Sequence, residues 1–316
     1  MYIIFMSNKI KLVFLGNCAS APTSLRNLTS LLVNYNGQGY LFDCPENTQQ
    51  QIMKSNFSAM KINNIFITHL HGDHYFGLFG LLSSYKLNNR TSELNIFVPK
   101  GDKKNMENLI NLTISDKHKP EYKINIKEVS TGKVFENSEV VVQVTPLDHN
   151  IKTNGYIFKI KDKIGKFNKA KALKLKIPEG PLFSQLQKGK SIKLNGKTIK
   201  PEEVMDYKFK KIGKKIAYFC DTQVLKAIPK EVMGADILIH ESTFFEEDKE
   251  KARIVKHSVA EEIPSFAKNA KIKTVYLTHI SGKYTDLEER EKQLQKKHKN
   301  FKIAKTLEEI EIEDYN

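Results

Sequence analysis

The chain has 316 residues, three cysteines, no tryptophan and a formal net charge of +15. That length can bury a sizeable core and, with no Pro/Ser-rich linker and no internal repeat, it favours a single α/β domain spanning 1–316 and carrying an insertion. Cys18, Cys44 and Cys220 are too far apart and too few for a disulfide framework or a zinc ribbon, and no run approaches the ~18 apolar residues of a membrane span. A reducing, cytoplasmic setting with no membrane partner is the expectation.

The opening MYIIFM is too short for a signal-peptide core, and the first convincing strand is KIKLVFLG, 9–16. INNIFIT, 62–68, alternates apolar and polar residues with β-branched members and reads as a buried strand. It delivers THLHGDH, which packs His69, His71, Asp73 and His74 into six residues. On extended backbone His69 and His71 share a face, Gly72 permits a sharp turn, and Asp73 and His74 stand where a helix would begin. The run YFGLFGLLSSY that follows has apolar residues at helical spacing.

Three later strands also end at candidate ligands: VVVQVTPL before His149, KKIAYFC before Asp221, and IKTVYLT before His279. Strand C-termini are where α/β folds open their sites. Between GYIFKI and KKIAYFCDT lies a segment that interrupts the strand and helix pattern. Residues 159–200 hold 13 lysines against Asp162 and Glu179, a net +11 of the chain's +15. A protruding lysine-rich arm, 159–210, is an electrostatic handle for a polyanion. At the C-terminus DLEEREKQLQKKHKN reads as an acid-then-base helix matched to its dipole, and FKIAKTLEEIEI as one final strand; both are scaffold. Only His118 and His298, of nine histidines, sit in lysine-rich, surface-like contexts.

Neutral imidazoles with a carboxylate are the ligand types that suit zinc, and four on one loop exceed what a single ion with an open position needs. A helix cap would need one such residue. Two adjacent metals are therefore expected.

In these motifs the sequence resembles the ribonuclease Z family of tRNA 3′-processing endonucleases, within the metallo-β-lactamase superfamily. FITHLHGDHYFGLFGLLSSY is similar to that family's signature, and the likeness extends to YLFDCPENTQQQI, GKFN, KALKLKIPEGPLF, LIHESTF, KHS and LTHISGKY. The resemblance implies an α/β fold of the αββα sandwich type. It implies that His69, His71 and His149 hold one Zn²⁺ while Asp73, His74 and His279 hold a second, bridged by Asp221, with Mn²⁺ able to substitute. It implies, too, that His257 protonates the leaving 3′-oxygen with Glu241 as its acidic partner, and that Asp73, chiefly a ligand, can take a proton from the attacking water. Precursor tRNA is the implied substrate, a homodimer the implied assembly, and a tRNA 3′-hydroxyl with a 5′-phosphorylated trailer the implied products. Arg26 and Asn27 of PTSLRN would meet the acceptor end. The arm, with its Gly180-Pro181 pair and Lys169, Lys171, Lys174 and Lys176, would clamp the tRNA elbow by shape and phosphate.

The chain departs from the family pattern in places. Ser24 stands where the PTSLRN loop usually has lysine, Pro45 and Asn47 replace glycines in DCPENT, Cys220 replaces the glycine before Asp221, and Val259 replaces a threonine. Two other readings compete: a small-phosphodiesterase or lactamase of the same fold, which would need no distant polyanion clamp, and a catalytically silent RNA-binding protein, against which all seven ligand positions argue.

Overall fold

The structure is a computed structural model that describes residues 9–113 and 121–316; MYIIFM and His118 lie outside them. In chain order the strands are β1 (Lys9–Gly16), β2 (Ser30–Tyr35), β3 (Gln38–Phe42), β4 (Ile62–Phe66), β5 (Leu94–Pro99), β6 (Ile124–Val129), β7 (Gly132–Glu136), β8 (Val140–Leu147) and β9 (Thr153–Ile160). After the inserted segment, which holds β10 (Lys166–Phe167), β11 (Ile192–Leu194), β12 (Lys197–Ile199) and β13 (Met205–Asp206), come β14 (Lys215–Phe219), β15 (Ile237–Glu241), β16 (Thr274–Thr278), β17 (Phe301–Ile303) and β18 (Glu308–Glu313).

Among the described residues these make two seven-stranded sheets, β18-β1-β2-β3-β4-β5-β6 and β17-β16-β15-β14-β9-β8-β7. Each is mixed: β3 to β6 and β14 to β17 run parallel, and the remaining neighbours pair antiparallel. The period-2 alternation of the strands builds three layers of core at once. In β1, Ile10, Leu12 and Phe14 point into the space between the sheets, where they meet Val142, Tyr156 and Tyr218 of the other sheet. Val13 and Leu15 point outward, under α3 (Leu78–Leu87) and α4 (Lys103–Thr113), whose Leu81, Leu82 and Met106 cover them. On the far side Phe219, Leu238 and Leu277 pack against Ile263 and Phe266 of α8 (Ile263–Asn269) and Leu294 of α9 (Leu287–Lys297). Helix, sheet, sheet, helix is the αββα sandwich of the metallo-β-lactamase fold.

The acid-then-base helix is α9, with Glu288 and Glu289 in its first turn and Lys296 and Lys297 in its last. The tail expected as one strand is two. β17 pairs with β16 in the second sheet, and after Leu307 turns in a left-handed conformation (φ 63°) β18 pairs with β1 in the first. Periodicity does not register that break, because alternation continues on both sides of it. The tail closes the sandwich by joining both sheets.

Residues 161–211 leave the second sheet after β9 and return to it at β14. They gather a small apolar cluster of their own, Ala172, Ile177, Phe183, Leu186, Ile192, Ile199 and Val204. The β10–β13 pairing sits at its base.

Candidate metal centre and active site

The site forms where five strands end together, at the C-terminal edges of β4, β8, β14, β15 and β16. The chain leaves β14 and β16 at once in left-handed backbone, at Asp221 (φ 51°) and His279 (φ 52°), and does the same after β3 at Asp43 (φ 57°). Asp and His tolerate this region better than β-branched residues, and each such kink turns a side chain from the strand's rhythm into the gap between the sheets.

Asp221 is the centre of the arrangement, and its side chain is almost fully buried. Its Oδ1 faces His74 Nε2 (3.3 Å) and His279 Nε2 (3.1 Å), while its Oδ2 faces His69 Nε2 (3.4 Å) and His149 Nε2 (3.7 Å). His71 Nδ1 lies 3.0 Å from His69 Nε2, and Asp73 Oδ2 lies 3.6 Å from Nε2 of both His74 and His279. The structure thus brings all seven residues expected as ligands into one cluster, with one carboxylate between two groups of imidazoles. Cys220 is also close: its thiol donates to Asp221 Oδ1 at 3.4 Å.

Hydrogen bonds behind the imidazoles fix which nitrogen each presents. Asp43 Oδ2 accepts from Thr68 Oγ1 (3.0 Å), from His74 Nδ1 (3.0 Å) and from the Tyr218 hydroxyl (3.1 Å). Thr68, its own proton given to Asp43, accepts the Nδ1–H of His69 at 3.0 Å. The same device recurs across the site: Thr243 Oγ1 donates to Glu241 Oε2 (2.8 Å) and accepts from His279 Nδ1 (2.9 Å). His149 Nδ1 donates to the Lys256 carbonyl (3.0 Å). With Nδ1 protonated, four Nε2 lone pairs are left pointing at Asp221.

Nε2 of His74, His149 and His279 is buried with no hydrogen-bond partner among the described residues. An unsatisfied buried polar atom costs about 1–3 kcal/mol, and three converging on one carboxylate are a donor set for a divalent cation. Charge agrees. Burial pushes His69 down to about 3 and also lowers His149, so both are the neutral, ligating form. For His74 burial is overcome by the Asp221 and Asp43 carboxylates, which hold it well above its ordinary value. The pocket is short of positive charge, and a bound cation would supply it in place of that proton. The residues present fit a metal.

His257 stands at the rim. Its Nδ1 donates to Glu241 Oε1 at 2.8 Å. Glu241 is buried and held by Thr222 N (3.0 Å), Thr243 N (2.8 Å) and Ser258 N (3.1 Å). Burial works against the imidazolium, but the Glu241 charge raises His257 to about 9.

Sequence reasoning missed Asp43, Thr68, Tyr218 and Thr243. Asp43 had a signal, an acidic residue at the end of QGYLF like those that end the ligand strands. The two threonines had none, because a hydroxyl relay is defined by its neighbours in space. The replaced glycines of DCPENT are accommodated: Asn47 takes left-handed backbone itself (φ 64°), and the close approach falls to Gly77, where a Cβ would lie 1.8 Å from the Pro45 carbonyl. That contact and the Cys44 N to His74 O bond (2.7 Å) stitch the loop after β3 beneath His74. Val259 packs with Phe244 and Ala252.

Among the residues expected to bind substrate, the half-buried Arg26 donates to the carbonyls of Ile280 (3.3 Å), Ser281 (3.0 Å) and Tyr284 (3.1 Å). It braces the loop that leaves His279, where the expectation was a phosphate contact. Asn27 is buried and accepts from Asn47 Nδ2 at 3.3 Å. Lys169, Lys171, Lys174 and Lys176 are exposed on and just after α5 (Lys169–Lys174), Lys169 paired with Glu179 at 2.8 Å; Gly180 and Pro181 open α6 (Pro181–Gln187).

Residues 10–168 match the family model described as Anti-Pycsar protein Apyc1, which stops before Asp221, Glu241, His257 and His279. The fold is similar to that of the metallo-β-lactamase fold protein YhfI from Bacillus subtilis (TM-score 0.67, 14% identity, 96% of this chain and 100% of that one). It is likewise similar to human tRNase Z, short form (TM-score 0.65, 23% identity, 95% and 98%). In sequence the chain is 38% identical over 306 residues to ribonuclease Z of Nitrosopumilus maritimus, covering 96% of this chain and 100% of that protein. It is 36% identical over 304 residues to ribonuclease Z of Methanosarcina acetivorans, covering 96% and 98%. End-to-end identity of this order, over a chain whose strand ends assemble such a centre, shows that it belongs to the ribonuclease Z family of hydrolytic endoribonucleases.

Proposed function

We propose that the protein is a two-zinc endonuclease that removes the 3′ trailer from precursor tRNA, leaving a tRNA 3′-hydroxyl and a 5′-phosphorylated trailer. The observation that carries this reading is the Asp221 carboxylate, one oxygen toward His74 and His279 and the other toward His69 and His149. Two ions shared through it, one held by His69, His71 and His149 and the other by Asp73, His74 and His279, would supply Lewis acidity at the phosphodiester and an activated water.

The rest falls to the chain's own residues. His257, charged at neutral pH, donates its Nε2 proton to the departing 3′-oxygen, while Glu241 holds the ring through Nδ1 and keeps it charged. Asp73 is positioned by the Ser20 amide, which donates at 3.0 Å to Oδ2, the oxygen that also faces His74 and His279. The exposed lysines of 169–176 and the Gly180-Pro181 turn meet tRNA phosphates by shape rather than base identity. A homodimer belongs to the same reading, supported by exposed Met53, Phe76 and Leu87 on the helical layer over the first sheet.

The test is to purify the protein, measure its metals by mass spectrometry, and map the 3′ end it leaves on one precursor tRNA. A mature 3′-hydroxyl end with close to two zinc ions per chain is expected. Hydrolysis of a small phosphodiester with the precursor left intact would replace this reading with that of a general phosphodiesterase.

A further inference from the structure

Four cations precede His257 on α7 (Lys249–Val255) and at its end, and three of them are neutralised. Lys249 pairs with Glu246 (3.0 Å) and Glu262 (3.1 Å), Arg253 with Glu250 (3.0 Å), and Lys256 with Asp148 (3.0 Å). Lys251 is exposed and has no carboxylate partner among the described residues; its ammonium lies 5.5 Å from the centre of the Phe244 ring. Asp248 acts on that ammonium only through space, because its carboxylate is already bonded to Lys283 and Tyr284, and no carboxylate among the described residues holds Lys251 directly. An arriving anion would.

Lys251 and Phe244 line a groove of about 440 Å³ that also reaches Thr243 and His257. Across it stands the loop Ala19–Thr23, which adds no charged side chain, so among the described residues Lys251 and His257 are the basic groups that line the groove and no carboxylate lines it. The opposite loop cannot provide a second cation close by. Position 24 is Ser24, and the Arg26 guanidinium is committed to three backbone carbonyls.

We infer that Lys251 binds a backbone phosphate of the RNA on the leaving-oxygen side of the scissile bond, the strand retained as the product's 3′ end. This rests on the RNA-cleaving reading above. Because His257 faces the departing 3′-oxygen in that reading, the groove beside it takes the retained strand and not the trailer. A phosphodiester is the ligand class that fits: one negative charge per nucleotide, Lys251 and His257 to meet it with Lys283 behind Phe244, and lining residues that include no carboxylate.

The experiment measures binding of a fluorescently labelled 3′-extended tRNA by anisotropy over a salt series, for the wild type, Lys251→Gln and Lys251→Arg, with long- and short-trailer versions of the RNA. Loss of one phosphate contact should make Lys251→Gln bind more weakly and flatten its log–log salt slope by about 0.7–0.9, with Lys251→Arg keeping the wild-type slope. The change should be the same for both trailer lengths. An unchanged slope in Lys251→Gln would overturn the assignment, as would an effect that vanishes when the trailer is shortened. Cleavage is scored separately: a wild type that binds the RNA but does not cut it refutes the tRNA-processing reading, while the salt slopes still decide the role of Lys251.

Discussion

Asp43 carries more of the site than its place outside the ligand set suggests. Three donors, Thr68 Oγ1, His74 Nδ1 and the Tyr218 hydroxyl, converge on its Oδ2, so one buried carboxylate orients His74 directly and His69 through a hydroxyl. Asp43→Asn keeps the shape but removes the charge and, with its oxygen kept toward the three donors on Oδ2, turns an NH₂ against the Thr68 backbone N–H that Oδ1 now accepts at 2.8 Å. Metal affinity in chelator competition should fall about 10–100-fold, the range for partners behind a ligand. Equal affinities for the variant and the wild type would deny Asp43 that part. His257 makes a second residue-scale prediction, through pH. With its pKa raised to about 9, the imidazolium persists at neutral pH and is lost as pH rises through that value, so a rate that needs its proton falls on the alkaline side. Glu241→Gln removes the charge that raises it, and the alkaline limb should move to lower pH. His257→Ala should slow precursor tRNA much more than an aryl phosphodiester, whose leaving group needs no proton; equal losses on the two would make His257 structural.

The loop after β16 shows what an element contributes beyond its residues. His279 leaves that strand in left-handed backbone, a conformation costing about 1 kcal/mol or more, and the following turn must be held for the side chain to stay aimed. Arg26 does this with a planar fork reaching three carbonyls, which a lysine ammonium cannot copy. Arg26→Lys should therefore lower activity on precursor tRNA and on a small phosphodiester by similar factors. A loss confined to tRNA would return Arg26 to the role of phosphate contact. The short helix α2 (Gly72–Tyr75) is held in the same way: its position comes from Gly77 lying against the Pro45 carbonyl, while its sequence decides only that a turn occurs there.

At the scale of the molecule, the sandwich and the 161–211 segment have separate cores. Phe167 and Met205 pair at the segment's base, so a short glycine linker can join them in place of residues 168–204 without opening either sheet. That deletion should leave small-phosphodiester turnover near normal and weaken precursor-tRNA binding. Each lost phosphate contact should flatten the salt slope by about 0.7–0.9. Unchanged tRNA affinity and slope would mark the lysines as a product of composition.

Local patterns in the chain were enough to announce the strands and the ligand types at their ends. Alternation marked β4, apolar runs marked β1, β8, β14 and β16, and the density of THLHGDH pointed to a metal, because all are short-range properties set by side-chain chemistry. Long-range packing decided the rest. Only the sandwich turns Asp221 so that each oxygen faces a different pair of imidazoles, places Asp43 and Thr243 behind the rings, divides the tail between two sheets, and directs Arg26 into backbone. Each hydroxyl relay has one partner close in sequence and another tens of positions away, the guanidinium brace spans hundreds, and no local pattern records which distant residues the fold will bring within about 3 Å.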